Sequence, residues 1–156
     1  MTFEELYRHY FADVYRFALY LSGNAAEAED IASETFVRAW AADAPLRAQS
    51  LNAYLFTIAR NLHRRGYRRR RLDALSVDMP DEPPGPEREV AGRGELAATL
   101  AQLQLLPEVD RAALLMRAFH ELSYEEIAAA LGISVPSAKV KVHRARTALK
   151  AHRSQS

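Results

Sequence analysis

Cysteine is absent from the 156 residues, which excludes a disulfide framework, a thiolate metal site and a thiol nucleophile. No window reaches the roughly eighteen apolar residues that a membrane span requires. The chain does not open on a basic segment followed by a short apolar run, so a cytoplasmic protein with no membrane insertion is expected. Glycine is scarce, with six in the chain, and those that interrupt helical patterns stand out as breaks. A charge of one sign is also lacking, since the net charge is +1. That balance hides unlike parts. Residues 1–72 carry 11 basic and 8 acidic side chains, residues 73–93 carry 2 and 6, and residues 94–156 carry 8 and 6. Two mildly basic blocks thus flank an acidic strip.

What is present reads as helix. Phe3, Leu6, Tyr7, Tyr10, Val14, Phe17, Ala18 and Leu21 follow the three-and-four spacing of an amphipathic helix, which Ser22, Gly23 and Asn24 break. A second helix is expected over 25–42, with Ile31, Thr35, Phe36, Val37 and Trp40 inward and Glu27, Asp30 and Glu34 in a row along one flank. A di-metal carboxylate site would pair such a row with a Glu-x-x-His step. No glutamate here has histidine three residues later, so the row reads as an exposed acidic face for a basic partner. No residue pattern calls for a catalytic centre, metal or cofactor.

Residues 43–50 contain Pro45 and read as a loop, and a third long helix starts at Leu51 with Tyr54, Leu55, Ile58, Ala59 and Leu62 inward. Its second half holds Arg60, Arg64, Arg65 and Arg68 to Arg71, seven arginines in twelve positions with Tyr67 among them and no acid. Such density favours a polyanion, because each neutralised phosphate releases counterions whatever the base sequence. The strip from 73 to 93 has Pro80, Pro83, Pro84 and Pro86 and six acids, too few apolar groups to repay the entropy of ordering. As a flexible linker it would stretch to about 70 Å and average about 25 Å as a coil.

The C-terminal block carries the sharpest local signal. Leu96, Leu100, Leu103 and Leu106 give one helix, and Val109, Ala112, Leu115, Met116 and Phe119 give a second after Pro107. Ser123 and Glu126 have the spacing of a capping box, so a third helix should start at Tyr124 and stop at Gly132. Ser134 caps a fourth, in whose first turn Pro136 is tolerated. Ala138, Val142, Ala145 and Leu149 form its apolar stripe, while Lys139, Lys141, His143, Arg144 and Arg146 occupy the remainder. This is a helix-turn-helix with a basic second helix. The fold class expected is all-α: two small helical domains, residues 1–72 and 94–156, joined by the flexible linker 73–93.

Three segments, EAEDIASETFVRAW, AYLFTIARNLHRR and LPEVDRAALLMRAFHELSYEEIAAALGISVPSAKVKVHRARTAL, resemble in order and spacing those of bacterial RNA polymerase sigma factors of the extracytoplasmic function type. The resemblance implies that the first domain docks on the clamp helices of core RNA polymerase and melts the minus-ten element of promoter DNA. The second would read the minus thirty-five element, and an anti-sigma factor would hold the free protein. By position it assigns Asp30, Ser33, Glu34 and Phe36 to polymerase binding, with Ser33 standing where glutamine is usual. It assigns Asn61, together with Arg60, Arg64, Arg65 and Arg68, to the minus-ten DNA, Asn61 lying at the pocket for an extruded base that the 43–50 loop would complete. Ser137 and Lys141 fall where the family contacts phosphate. Lys139, Val140, His143 and Arg144 fall where it faces the major groove, and Arg144 is the foremost candidate to fork onto guanine. Two other classes compete: a self-sufficient dimeric regulator, which would need a dimerisation surface, and a metal enzyme, which would need a second row of ligands.

Overall fold

The computed structural model describes residues 2–42, 50–76 and 94–155. Among them the chain forms α1 (Phe3–Ser22), α2 (Ala25–Ala41), α3 (Leu51–Ser76), α4 (Glu95–Gln104), α5 (Glu108–His120), α6 (Tyr124–Leu131) and α7 (Val135–Gln155). The expected loop, apart from Ser50, and the part of the expected linker beyond Ser76 lie outside the described residues. α3 continues through the first four positions of that linker.

Short polar residues set the helix starts. Thr2 and Glu5 form a reciprocal capping box on α1, and Asn24 Oδ1 accepts from the Glu27 amide at 2.8 Å to start α2. Gly23, at φ 72°, closes α1 in the left-handed conformation that permits the sharp reversal into α2. These three helices bury Leu6, Val14, Phe17, Leu21, Ile31, Phe36, Leu55 and Phe56. Phe17 and Phe56 stack at 4.6 Å, tying α1 to α3.

In the C-terminal block, Ser123 and Glu126 form the expected capping box, and Gly132 takes φ 67° at the end of α6. The Ser134 hydroxyl accepts from the Ser137 amide at 3.1 Å, starting α7. Ala138, Val142 and Ala145 are fully or almost fully buried along the α7 stripe. Arg111 is buried too, and its Nη1 donates to the carbonyls of Leu103 and Leu106 at the end of α4. Its burial pulls the guanidinium below its ordinary pKa, against the opposing pull of Glu108.

The sequence reading set these blocks apart, but the structure packs them together. α1 meets α4 and α5, and α3 meets α5 and α6. Tyr20 packs edge-on against Phe119 at 5.1 Å, and Phe56 lies 5.2 Å from the His120 ring. The buried residues of both blocks therefore form one core cluster, which α3 helps to build from both sides.

Candidate nucleic-acid and protein interfaces

The outward side of α7 follows from its buried stripe. With Ala138, Val142 and Ala145 inward, the helical period turns Pro136, Lys139, Val140, His143, Arg146 and Thr147 to solvent, and all six are exposed. Val140 stands 58% exposed. Lys139 Nζ lies 5.7 Å from the Tyr124 ring of α6, which steadies its stem. Ser137 is half-buried in the first turn.

Arg144 departs from its expected role. Its Nε and Nη2 donate to the two carboxylate oxygens of Asp110 at 2.7 and 2.9 Å, and Lys141 Nζ lies 3.8 Å from the same group. Asp110 is buried in the first turn of α5. Donating these hydrogen bonds to the Asp110 carboxylate raises the Arg144 pKa. The fork that would read guanine is thus closed on a carboxylate, because α5 and α7 pack together and the buried acid needs a partner. Lys141 shares that carboxylate.

Along α3, the side chains of Asn61, Arg64, Arg65 and Arg68 are exposed. Asn61 and Arg65 line a groove of about 510 Å³ with Arg38 and Ala41 of α2, its C-cap Ala42, and Tyr54, Ile58 and Leu62 of α3. An amide, two guanidiniums, an aromatic ring and an apolar floor suit an unstacked base: a plane to stack on, donors and an acceptor for its edge, and positive charge for its phosphate. Tyr54 and Arg38 escaped the sequence reading. Tyr54 had been counted as core, and Arg38 lies on a different helix from the arginine run.

Arg60 does not join that surface. It is 3% exposed and forks onto Glu108 of α5, with Nε to Oε2 at 3.0 Å and Nη2 to Oε1 at 2.7 Å. Arg64, four residues on, is rotated about 40° beyond one full turn and so shares that side of the helix, yet it is exposed.

On α2, Asp30, Ser33 and Glu34 are exposed, and Glu34 pairs with Arg38 at 3.1 Å. Phe36, assigned to the polymerase by resemblance, is fully buried against Tyr7 and Phe11, so it supports the surface from beneath. Val37 and Trp40, expected inward, are 55% and 50% exposed. They extend the Asp30–Glu34 stripe by further three-residue steps, a signal that was present in the spacing. Glu27 leaves the acidic row: His63 Nδ1 lies 3.2 Å and Arg70 Nη2 2.9 Å from its Oε1. Burial alone would raise its carboxyl, but hydrogen bonds from His63 and Arg70 outweigh that and hold it below the ordinary value. Among the described residues, no cluster of three His, Asp or Glu side chains could hold a metal ion, and no helix is long and apolar enough to cross a membrane.

Residues 6–72 match the Sigma-70 region 2 family and residues 96–149 the Sigma-70, region 4 family. The ECF RNA polymerase sigma factor EcfG of Rhodopseudomonas palustris is 38% identical over 86% of this chain and 76% of its own length. The chain belongs to the ECF RNA polymerase sigma factors. SigE of Mycolicibacterium smegmatis, another ECF sigma factor, is 36% identical across 96% of this sigma factor, which spans 60% of that relative's length. The sigma factor RpoE, solved in complex with the anti-sigma factor NepR from Bartonella quintana, superposes with a TM-score of 0.81 at 28% identity, covering 96% of this chain and 94% of that one. The two matched regions coincide with the two helical blocks, so region 2 of this sigma factor is α1–α3 and region 4 is α4–α7.

Proposed function

We propose that this sigma factor joins core RNA polymerase and directs promoter-specific initiation, with no catalytic chemistry of its own. The groove holding Asn61 carries the reading: it offers an open recess roomy enough for a base, with an amide, Arg38, Arg65 and Tyr54, on region 2. A minus-ten base pulled from the duplex is captured there, and its binding offsets the cost of unstacking. Asp30, Ser33 and Glu34, continued by Val37 and Trp40, form the polymerase-docking stripe. Its acids meet basic groups, and its two apolar side chains supply the burial that an exposed ion pair lacks.

In region 4, α7 lies in the major groove of the minus thirty-five element. Lys139, Val140 and His143 face base edges, and Val140 packs on a thymine methyl. Ser137 contacts phosphate and Lys141 reaches it from beside Asp110. Arg144 braces α7 against α5, so the specific contact first sought at Arg144 moves to the outward row. An anti-sigma factor is the natural antagonist, since the similar RpoE chain is found with one. The decisive experiment adds the purified chain to core polymerase and sequences the transcripts begun. Initiation at promoters that core alone ignores is the expected result, and its absence across a genomic template would refute the reading.

A further inference from the structure

α3 is built from two unlike halves that meet at Gly66. Up to His63 the helix is packed: Leu55, Phe56 and Ala59 are fully buried and His63 is 5% exposed. From Tyr67 to Asp73 every side chain is exposed, so no apolar burial fixes that half. Two features weaken it further as a helix. Gly66 stands at the junction, and glycine is a poorer helix former than any other residue except proline. Arg64 with Arg68, and Arg65 with Arg69, stand four apart, a spacing at which like charges repel.

Glu27, from the first turn of α2, bridges this junction. Its Oε1 accepts from Arg70 Nη2 at 2.9 Å and lies 3.2 Å from His63 Nδ1. One carboxylate oxygen thus reaches the last buried position among the described residues of α3 and a residue of the exposed half, two turns further on. A Cβ at Gly66 would lie 3.9 Å from that oxygen and 3.4 Å from Arg70 Nη1, so the bridge passes over the glycine itself. At about 100° per residue, His63 and Arg70 point away from the side that carries Asn61, whereas Arg65 and Arg68 fall within about 40° of it. The carboxylate holds the back of the helix and leaves the front open.

We propose that Glu27 is a positioning residue for promoter DNA: by joining His63 to Arg70 across Gly66, it keeps the arginine-rich end of α3 helical and in line with the Asn61 groove before DNA arrives. The proposal rests on the promoter-reading function above. Arg70 is then a tether, while Arg65 and Arg68 meet the backbone of the strand whose base enters the groove. An end that is already ordered binds more tightly, because no ordering cost falls at the moment of contact. A plain counter-charge would do the reverse, since an acid near phosphate opposes binding. The two roles predict opposite signs when Glu27 is removed.

The test uses the full chain with Glu27→Ala, alone and combined with Gly66→Ala. The methyl added at residue 66 meets its neighbours at ordinary contact distances and favours helix, so it should take over from the missing carboxylate. In the free chain, hydrogen exchange of the 67–73 amides should quicken about tenfold in Glu27→Ala relative to those of 55–62, and slow again in the double variant. Unchanged exchange overturns the proposal, and this arm needs no promoter, so its failure is distinct from failure of the functional reading. With core polymerase, fluorescence anisotropy across a salt series should show promoter DNA bound about tenfold more weakly by Glu27→Ala, with the salt slope lower by about 1. Binding to core should be unchanged, and the double variant should recover DNA affinity. Tighter DNA binding with a steeper slope would make Glu27 a counter-charge and overturn the proposal. An equal loss of core binding, which marks a fold defect, or a double variant no better than the single, would overturn it as well.

Discussion

α3 and α7 are both basic helices, yet they spend their charge differently. α3 turns Arg64, Arg65 and Arg68 outward, and its one buried arginine, Arg60, faces another region of the chain. α7 has fewer cations and commits Arg144, with Lys141 beside it, to a buried carboxylate of its own region. The contrast teaches that a basic residue on a DNA-binding helix has two rivals for its charge, phosphate and the acids of neighbouring helices. Packing decides which one is met. α3 can then bind by density of charge, whereas α7 must read through a short row of mixed chemistry: an ammonium, a branched apolar side chain and an imidazole.

The largest effect that would break this comparison comes from Asp110→Ala. If Asp110 braces α7, losing its two charge-assisted bonds should cost about 3 kcal/mol in urea denaturation, with the region 4 helices melting first. An unchanged midpoint would mean that Arg144 is free to read DNA after all. Next in size is Asn61→Ala, which should cost about 1 to 3 kcal/mol of discrimination at a single minus-ten base. That loss is measured by comparing open-complex formation on templates carrying each of the four bases, and equal losses on all four would remove Asn61 from the groove's reading role.

A smaller change is expected from Arg65→Ala. It should weaken DNA binding alike on matched and scrambled sequences and lower the salt slope by about 1, whereas Lys139→Ala should alter the preference among minus thirty-five variants. Fluorescence anisotropy across a salt series separates the two behaviours. The smallest effect concerns Glu27. Its carboxyl is held below the ordinary value of 4.5, so the unfolded chain takes up this proton first as pH falls. The associated stability is present above 4.5 and is lost as pH drops through the lowered value. Glu27→Gln should therefore flatten the acid limb of the stability profile of region 2, followed by thermal melts from neutral pH downward.

Much of the candidate site was legible beforehand because its signals are local. The α6 cap and stop, the α7 cap and the buried stripe at Ala138, Val142 and Ala145 depend on spacing within one or two turns. The exposed Asp30, Ser33 and Glu34 and the exposed Asn61 were placed by their motif. Phe36 lies inward, as its spacing predicts, and its neighbours Tyr7 and Phe11 come from α1. Glu27 looked like a member of the acidic row until α3 brought His63 and Arg70 to it. The sequence places Trp40 on the buried side of α2, but the rotation that seats Phe36 and Ala39 leaves it exposed.

The sequence by itself determined the seven helices of the described residues, the starts and stops of those with polar caps and glycines, and membership of a family built from two helical regions. Hydrogen bonds within a turn and periodic burial suffice for that. Only the tertiary structure decided that Arg60 faces Glu108, that Arg144 faces Asp110 and that region 2 closes on region 4. Those pairings join residues 34 to 76 positions apart, and no local pattern encodes which distant carboxylate a guanidinium will meet. That choice is made by the apolar packing that brings whole helices together, after which each buried charge takes the partner within reach.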